Sequence, residues 1–281
     1  MGFFDRLANG WRLAMDSMKV VWQHKKLMLF PIISTVCLLL VLLSFLGGMM
    51  ATGALSDAVT EDEAAEAEGS QVAYYAALFL FYFICYFLIV FFNMALIHCA
   101  NHAFNGAPFT LGMGISFSFS RIGAIASWAF VAATVGVILR IIEDRSEKVG
   151  RLIIGLLGMV WSLLTFFVVP VIAYENLGPF AAIKRSGELF KRTWGERLAA
   201  NFAFGWVGFL GAILIVLPVG ILVGMIHPVA GIVAGGLCLL FVAAMTAAAE
   251  AVFKAAAYQY AIGRPVGAFD TSQIQGSFVQ K

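Results

Sequence analysis

Two histidines, His98 and His102, are the residues of this sequence whose type and spacing could bind a metal ion. Side chains four residues apart lie on one face of a helix, and imidazole nitrogens are common zinc ligands. A stable site also needs a third ligand and partners that orient the ligands, and the sequence contains no HExxH or comparable motif. We therefore interpret the histidines as polar residues at a helix end and predict no metal.

A charged pair, Glu250 and Lys254, lies in the last apolar stretch with the same four-residue spacing. Counting from Pro228 at 1.5 Å per residue places Glu250 roughly 33 Å along a helix, close to the edge of a membrane. This depth favours an ion pair at a helix end. The alternative is a polar vestibule, because ionisable groups in membrane segments often mark a functional path. Its lining would be Asn93, His98, His102, Glu250 and Lys254.

Other chemical signatures are missing from the sequence. It has no nucleophile–base pair, phosphate-binding glycine loop, dinucleotide-binding glycine pattern or basic nucleic-acid patch. The four cysteines (Cys37, Cys85, Cys99 and Cys238) lie far apart in apolar runs, which predicts small buried side chains and no disulfide framework. We predict no cofactor, no nucleic-acid partner and no enzymatic activity.

The elements that must position these residues are membrane-spanning helices. Of the 281 residues 62% are hydrophobic and only 12% are charged, about half the charged fraction of a soluble domain. Apolar runs of about 20 residues cross a bilayer core, and in lipid they must be helical. The sequence predicts an all-α polytopic membrane protein, one membrane domain over 1–281. Its six predicted spans are 27–53, 72–100, 122–140, 152–174, 198–226 and 228–261.

The distribution of Lys and Arg predicts the orientation of the chain. Fourteen of the 18 fall in segments on the same side of the membrane as the N-terminus, and four fall in the loops on the opposite side. The acidic segment 57–70 is also on that opposite side. Because basic residues concentrate on the cytoplasmic side, both termini are predicted to be cytoplasmic. We expect the protein to reside in a prokaryotic cell (inner) membrane.

Amphipathic surface helices are predicted before the first and fifth spans. In the first, apolar residues from Phe4 to Trp22 recur at three- and four-residue steps opposite basic ones, and Pro179 suits the first turn of the second. Such helices lie in the membrane interface, where cations attract anionic lipids. The predicted headgroup contacts are Arg12, Lys19, Lys25, Lys26, Lys184, Arg185, Lys191, Arg192 and Arg197. The predicted anchors are Trp11, Trp22 and Trp194.

The order of segments also suggests an internal repeat. Gly2-Phe3-Phe4, Ala107-Pro108-Phe109 and Gly178-Pro179-Phe180 each open a surface segment followed by two spans. This predicts three parallel units (1–105, 106–177 and 178–270) and a polar tail at 271–281. The middle unit departs from the pattern, because its surface segment carries no charge before Arg121. The alternative is that any series of helical hairpins with basic cytoplasmic loops has this appearance.

Three stretches carry a resemblance to a known family: LGPFAAIKRSGELFKRTWGERLAANF at 177–202, RIGAIASWAFVAATVGVILR at 121–140 and FKAAAYQYAIG at 253–263. The chain resembles an uncharacterised family of prokaryotic six-helix membrane proteins, a domain of unknown function. More loosely, AIKRSGELFKRTW is similar to the membrane domain attached to some bacterial glycerophosphodiester phosphodiesterases. The chain lacks their soluble barrel, so this likeness implies a shared scaffold and no activity.

Polar groups outside the external loops gather at one predicted depth. They are Asn93, His98, His102, Arg121, Glu175, Lys184, Arg185, Glu196, Arg197, Asn201, Glu250 and Lys254. The first hypothesis is a lipid-associated scaffold or lipid-handling protein with anionic lipids as partners. The alternative is an oligomeric channel or transporter, and a structural partner of another membrane protein stays open. The glycine pairs Gly220/Gly224 and Gly231/Gly235 permit close helix contact, within one subunit or between subunits.

Overall fold

The computed structural model describes residues 3–51, 68–144, 148–192, 204–205 and 208–264. Every regular element in these ranges is helical. A 3₁₀ turn (Lys25–Met28) joins the first two helices, and a π turn (Ala212–Val216) leads into the ninth. The α-helices are α1 (Phe3–Gln23), α2 (Leu29–Ala51), α3 (Glu68–Phe104), α4 (Leu111–Ser120), α5 (Ile122–Asp144), α6 (Lys148–Thr165), α7 (Val168–Glu175), α8 (Pro179–Arg192), α9 (Leu217–Ile226) and α10 (Pro228–Ala261).

Six helical segments in the described ranges are long and apolar enough to cross a membrane. Their bounds are Lys25–Ala51, Val72–Phe104, Ile122–Glu143, Ile154–Glu175, Gly208–Ile226 and Pro228–Ala261. By helix length and composition, this confirms the predicted all-α polytopic membrane class. The start of the fifth predicted span, residues 198–203, lies outside the described residues.

Helices that are not counted among the six spans lie at the places where surface segments are predicted. Helix α1 precedes α2, α4 precedes α5, and α8 follows α7 at a sharp turn. Helix α8 begins at Pro179, where a proline costs no hydrogen bond. Helix α4 begins after Thr110, whose hydroxyl accepts a hydrogen bond from the Met113 amide at 3.2 Å. The order of elements is the one that the threefold repeat predicts, and the repeat itself stays a prediction.

The fourth span is interrupted between α6 and α7. Pro170 cannot donate a backbone hydrogen bond, and α7 starts two residues before it. The Phe167 amide, just before α7, donates a hydrogen bond to the Ser186 hydroxyl of α8 at 2.9 Å, in a buried contact. Ser186 of α8 therefore satisfies one backbone amide at the break and holds α8 against the span.

The buried core occupies one end of the bundle, which we call the packed end. It comprises the C-terminal parts of α3 (90–104) and α10 (242–258), α7, and the inward sides of α1, α4 and α8. The parts of α2, α3, α9 and α10 near the other end (36–51, 72–80, 217–226 and 228–241) are mostly exposed. Helices α9 and α10 pack through their glycines, since a Cβ on Gly231 would lie 2.4 Å from the Gly224 Cα. The glycine pairs thus meet within the chain.

Candidate functional site

The carboxylate of Glu175 joins three helices at the packed end. Glu175 is the last residue of α7, and its Oε2 accepts a hydrogen bond from the Arg185 Nε of α8 at 2.9 Å. Its Oε1 accepts another from the Tyr258 hydroxyl of α10 at 3.1 Å. Arg185 also approaches Glu188, with 3.7 Å between Nη1 and Oε2. Because the Glu175 and Arg185 side chains are both half-buried, their pairing fixes α8 to the core more firmly than an exposed ion pair would.

Tyr174 extends this contact into α3. Its ring stacks on that of Tyr258, with centroids 5.9 Å apart and planes 20° apart. Its hydroxyl accepts a hydrogen bond from the Asn101 side-chain amide. The Asn101 Oδ1 is buried without a partner among the described residues. We call Asn101, Tyr174, Glu175, Arg185 and Tyr258 the polar cluster; it links α3, α7, α8 and α10.

A second polar contact lies where α4 meets α5. The Arg121 guanidinium donates a hydrogen bond to the side-chain carbonyl of Asn176, the residue after α7. Asn176 has a φ of 52°, a left-handed conformation that asparagine adopts at helix ends more readily than most residues. Arg121 therefore fixes the turn between α7 and α8, one residue beyond Glu175.

Four of the five residues of the predicted vestibule form two pairs on different helices. On α3, His98 contacts His102 at 5.0 Å between ring centroids and stacks on Phe117 at 4.0 Å. On α10, which continues to Ala261, Glu250 and Lys254 form an ion pair at 2.7 Å, and the Lys254 ammonium lies 5.3 Å from the Phe166 ring. Asn93 is half-buried. Within the described ranges, no three residues of metal-binding type come together.

The predicted headgroup cations have different environments. Lys184, Lys191 and Lys26 are exposed, and the Lys25 ammonium lies over the Trp22 indole at 5.1 Å. Lys19 pairs with Asp16 at 2.8 Å, and Arg185 belongs to the polar cluster. Trp11 and Trp22 are exposed. The side chains of Arg12 and Arg192, and the whole of Trp194 and Arg197, lie outside the described residues.

Sequence reasoning recognises part of the polar cluster. The depth argument includes Glu175 and Arg185, but it assigns Arg185 to lipid and leaves out both tyrosines. A glutamate at the end of a span with an arginine ten residues later is the available signal, since one short turn separates them. Tyr258 lies 83 residues from Glu175, and nothing local in the sequence points to that contact.

The family of the chain is decided by one match. A family described as a family of unknown function (DUF6159) matches residues 72–268. The chain belongs to this family. The match confirms the expected membership of an uncharacterised family, and the DUF6159 region contains all five residues of the polar cluster. Helices α1 and α2 and the first four residues of α3 precede the region. No curated protein and no solved structure matches the chain.

Proposed function

We propose that this multi-pass membrane protein is a lipid-associated scaffold of a prokaryotic inner membrane. Both of its termini lie in the cytoplasm, and its basic surface helices hold anionic lipids of the cytoplasmic leaflet. One observation carries the proposal: α8 packs Ala182, Ser186 and Leu189 into the core while Lys184 and Lys191 are exposed. Cations held near a membrane surface contribute about 1 kcal/mol each toward anionic lipids.

Helix α1 also supports the proposal. It packs against α10 through buried residues such as Ala14 and Val21, and it exposes Trp11 and Trp22. Indole rings favour the headgroup region, because one part of the ring system is apolar and its N–H is polar. Both helices therefore combine a face buried in the packed end with exposed residues that suit a membrane surface, including tryptophans on α1 and lysines on α8.

The packed end does not favour a pore through a single subunit. Its interior is occupied by alanine and aromatic side chains, and the stacked rings of Tyr174 and Tyr258 join α7 to α10. The charges of Glu175 and Arg185 are paired with each other. This packing supports a scaffold, since a conducting path needs a hydrated lining.

A charge-matched pair of variants tests the proposal. Lys184→Gln with Lys191→Gln removes two cations from α8, and Arg140→Gln with Lys148→Gln removes two at the opposite end of the bundle. Native mass spectrometry from nanodiscs of mixed phosphatidylglycerol and phosphatidylcholine reads which lipid each variant retains. We expect the α8 variant to lose phosphatidylglycerol preference by about fivefold per cation. The control should keep it.

Two results would contradict the proposal. An unchanged preference in the α8 variant would show that its exposed lysines do not contact anionic lipid. An equal loss in both variants would show a response to net charge that is independent of the packed end.

A further inference from the structure

An open groove of about 320 Å³ lies between α1 and α10. Most of its lining is apolar: Met15, Met18, Trp22 and Met245. Lys19 and Gln23, both exposed, also contribute to the lining. Methionine and tryptophan side chains suit a flexible apolar ligand, because the thioether adapts its shape and the indole gives a rigid flat wall.

Three lysines lie on α1 or directly after it, and α1 forms one side of this groove. The Lys25 ammonium is held over the face of Trp22, one of the groove walls, at 5.1 Å from the ring centroid. Lys26 follows it and is exposed, and Lys19 lies in the groove lining with its partner Asp16. Three lysines against one carboxylate give this region a positive charge. The groove therefore combines an apolar trough with a basic border.

The size of the groove favours a thin apolar ligand over a whole helix. Ligand clefts typically measure about 300–1,000 Å³, so this one is at the small end of the range. An α-helix with its side chains is roughly 10–12 Å across, so it would rest on the open groove and bury few of its side chains there. A single hydrocarbon chain is much thinner and can lie along the groove over part of its length.

We propose that the groove binds one acyl chain of an anionic phospholipid, whose phosphate contacts Lys25 and Lys26. The inference rests on the proposed function, because it assigns one specific lipid site to a scaffold that holds anionic lipids. The acyl chain lies against Met15, Met18 and Met245, and Trp22 separates it from Lys25. Cation and apolar trough together select a phospholipid over a free anion, which has no chain to bury.

The test uses the full-length protein in nanodiscs of phosphatidylcholine and phosphatidylglycerol. A phosphatidylglycerol analogue with a photoactivatable diazirine on one acyl chain marks the residues that the chain touches, and mass spectrometry of the digested protein locates them. We expect labelling to peak at Met15, Met18 and Met245. Met15→Trp fills the groove from an exposed position and should remove most of this labelling. Met225→Trp, on α9 at 80% exposure, is the matched control and should leave it unchanged.

A second variant tests the headgroup contact without altering the core. Lys25→Gln should reduce groove labelling about fivefold, the effect of one cation near a membrane surface. Labelling spread evenly over exposed spans, with no maximum in the groove, would overturn the site even if the α8 lysines still select anionic lipid. Equal groove labelling by the matching phosphatidylcholine analogue would overturn the anionic assignment. Loss of anionic preference in the charge-matched variants tests the scaffold function separately.

Discussion

The two halves of α10 differ in packing although both are strongly apolar. From Val242 to Tyr258 most side chains are buried, and the helix contacts α1, α2, α3, α7 and α8. From residue 228 to residue 241 most are exposed, and the glycine contact with α9 is the main packing surface. Helix α3 repeats the contrast between residues 90–104 and 72–80.

Small side chains account for the contrast within α10. Nine of the 17 residues from 242 to 258 are alanine, against two of the 14 from 228 to 241. In lipid there is little hydrophobic gain in burying a leucine, so close packing of small residues brings helices together. The exposed half carries larger residues such as Ile232 and Leu237, which suit contact with lipid chains. The exposed half is also the more hydrophobic of the two, since the buried half includes Thr246, Glu250 and Lys254, so hydropathy alone would predict the opposite pattern of burial.

The largest effect is expected when the same substitution, phenylalanine to alanine, is made in the buried and in the exposed half of α10. Phe253 is 2% exposed and packs on Phe204, whereas Phe241 is 46% exposed. Phe253→Ala should destabilise the protein by about 3–5 kcal/mol, because the surrounding core cannot fill the cavity. Phe241→Ala leaves no cavity, since lipid or detergent fills the space. Thermal unfolding in detergent measures both, and similar losses would refute the assignment of packed and exposed halves.

An effect of intermediate size is expected from two glycines of α4, one packed closely on α3 and one with room for a Cβ. A Cβ on Gly114 would lie 2.8 Å from both the Ala95 carbonyl oxygen and the Cys99 Sγ, whereas one on Gly112 would come no closer than 3.9 Å to Thr110. Gly114→Ala should cost about 1–3 kcal/mol through overpacking. Gly112→Ala should be neutral or stabilising, because alanine favours helices. Equal melting temperatures for the two variants would mean that α4 does not pack this closely on α3.

The smallest expected effect concerns the polar cluster. Tyr258→Phe keeps the stacked ring but removes the hydroxyl that donates to Glu175. The expected loss is about 1 kcal/mol, the usual net value of one hydrogen bond. Tyr82→Phe is the control, since the Tyr82 hydroxyl has no hydrogen bond within the described ranges. If both variants unfold at the wild-type temperature, the Tyr258 contact does not stabilise the packed end.

The spans could be predicted from the sequence because each is a long apolar run with little charge, and lipid forces such runs to be helical. The start of α8 at Pro179 was predictable for a local reason, the restricted backbone of proline. The contact between Tyr258 and Glu175 was not, because it joins residues 83 positions apart through tertiary packing. Arg185 was assigned to lipid because it lies in a basic segment, although Glu175, ten residues earlier, accepts its hydrogen bonds.

The central claim is that the packed end, with its basic surface helices, faces the cytoplasmic leaflet. Single cysteines introduced by Lys184→Cys on α8 or Glu61→Cys in the acidic segment, with the four native cysteines replaced, report the two sides. A membrane-impermeant maleimide is applied to right-side-out and to inverted membrane vesicles. The account predicts that Glu61→Cys reacts in right-side-out vesicles and Lys184→Cys only in inverted ones. The opposite pattern would place the packed end outside and contradict the account.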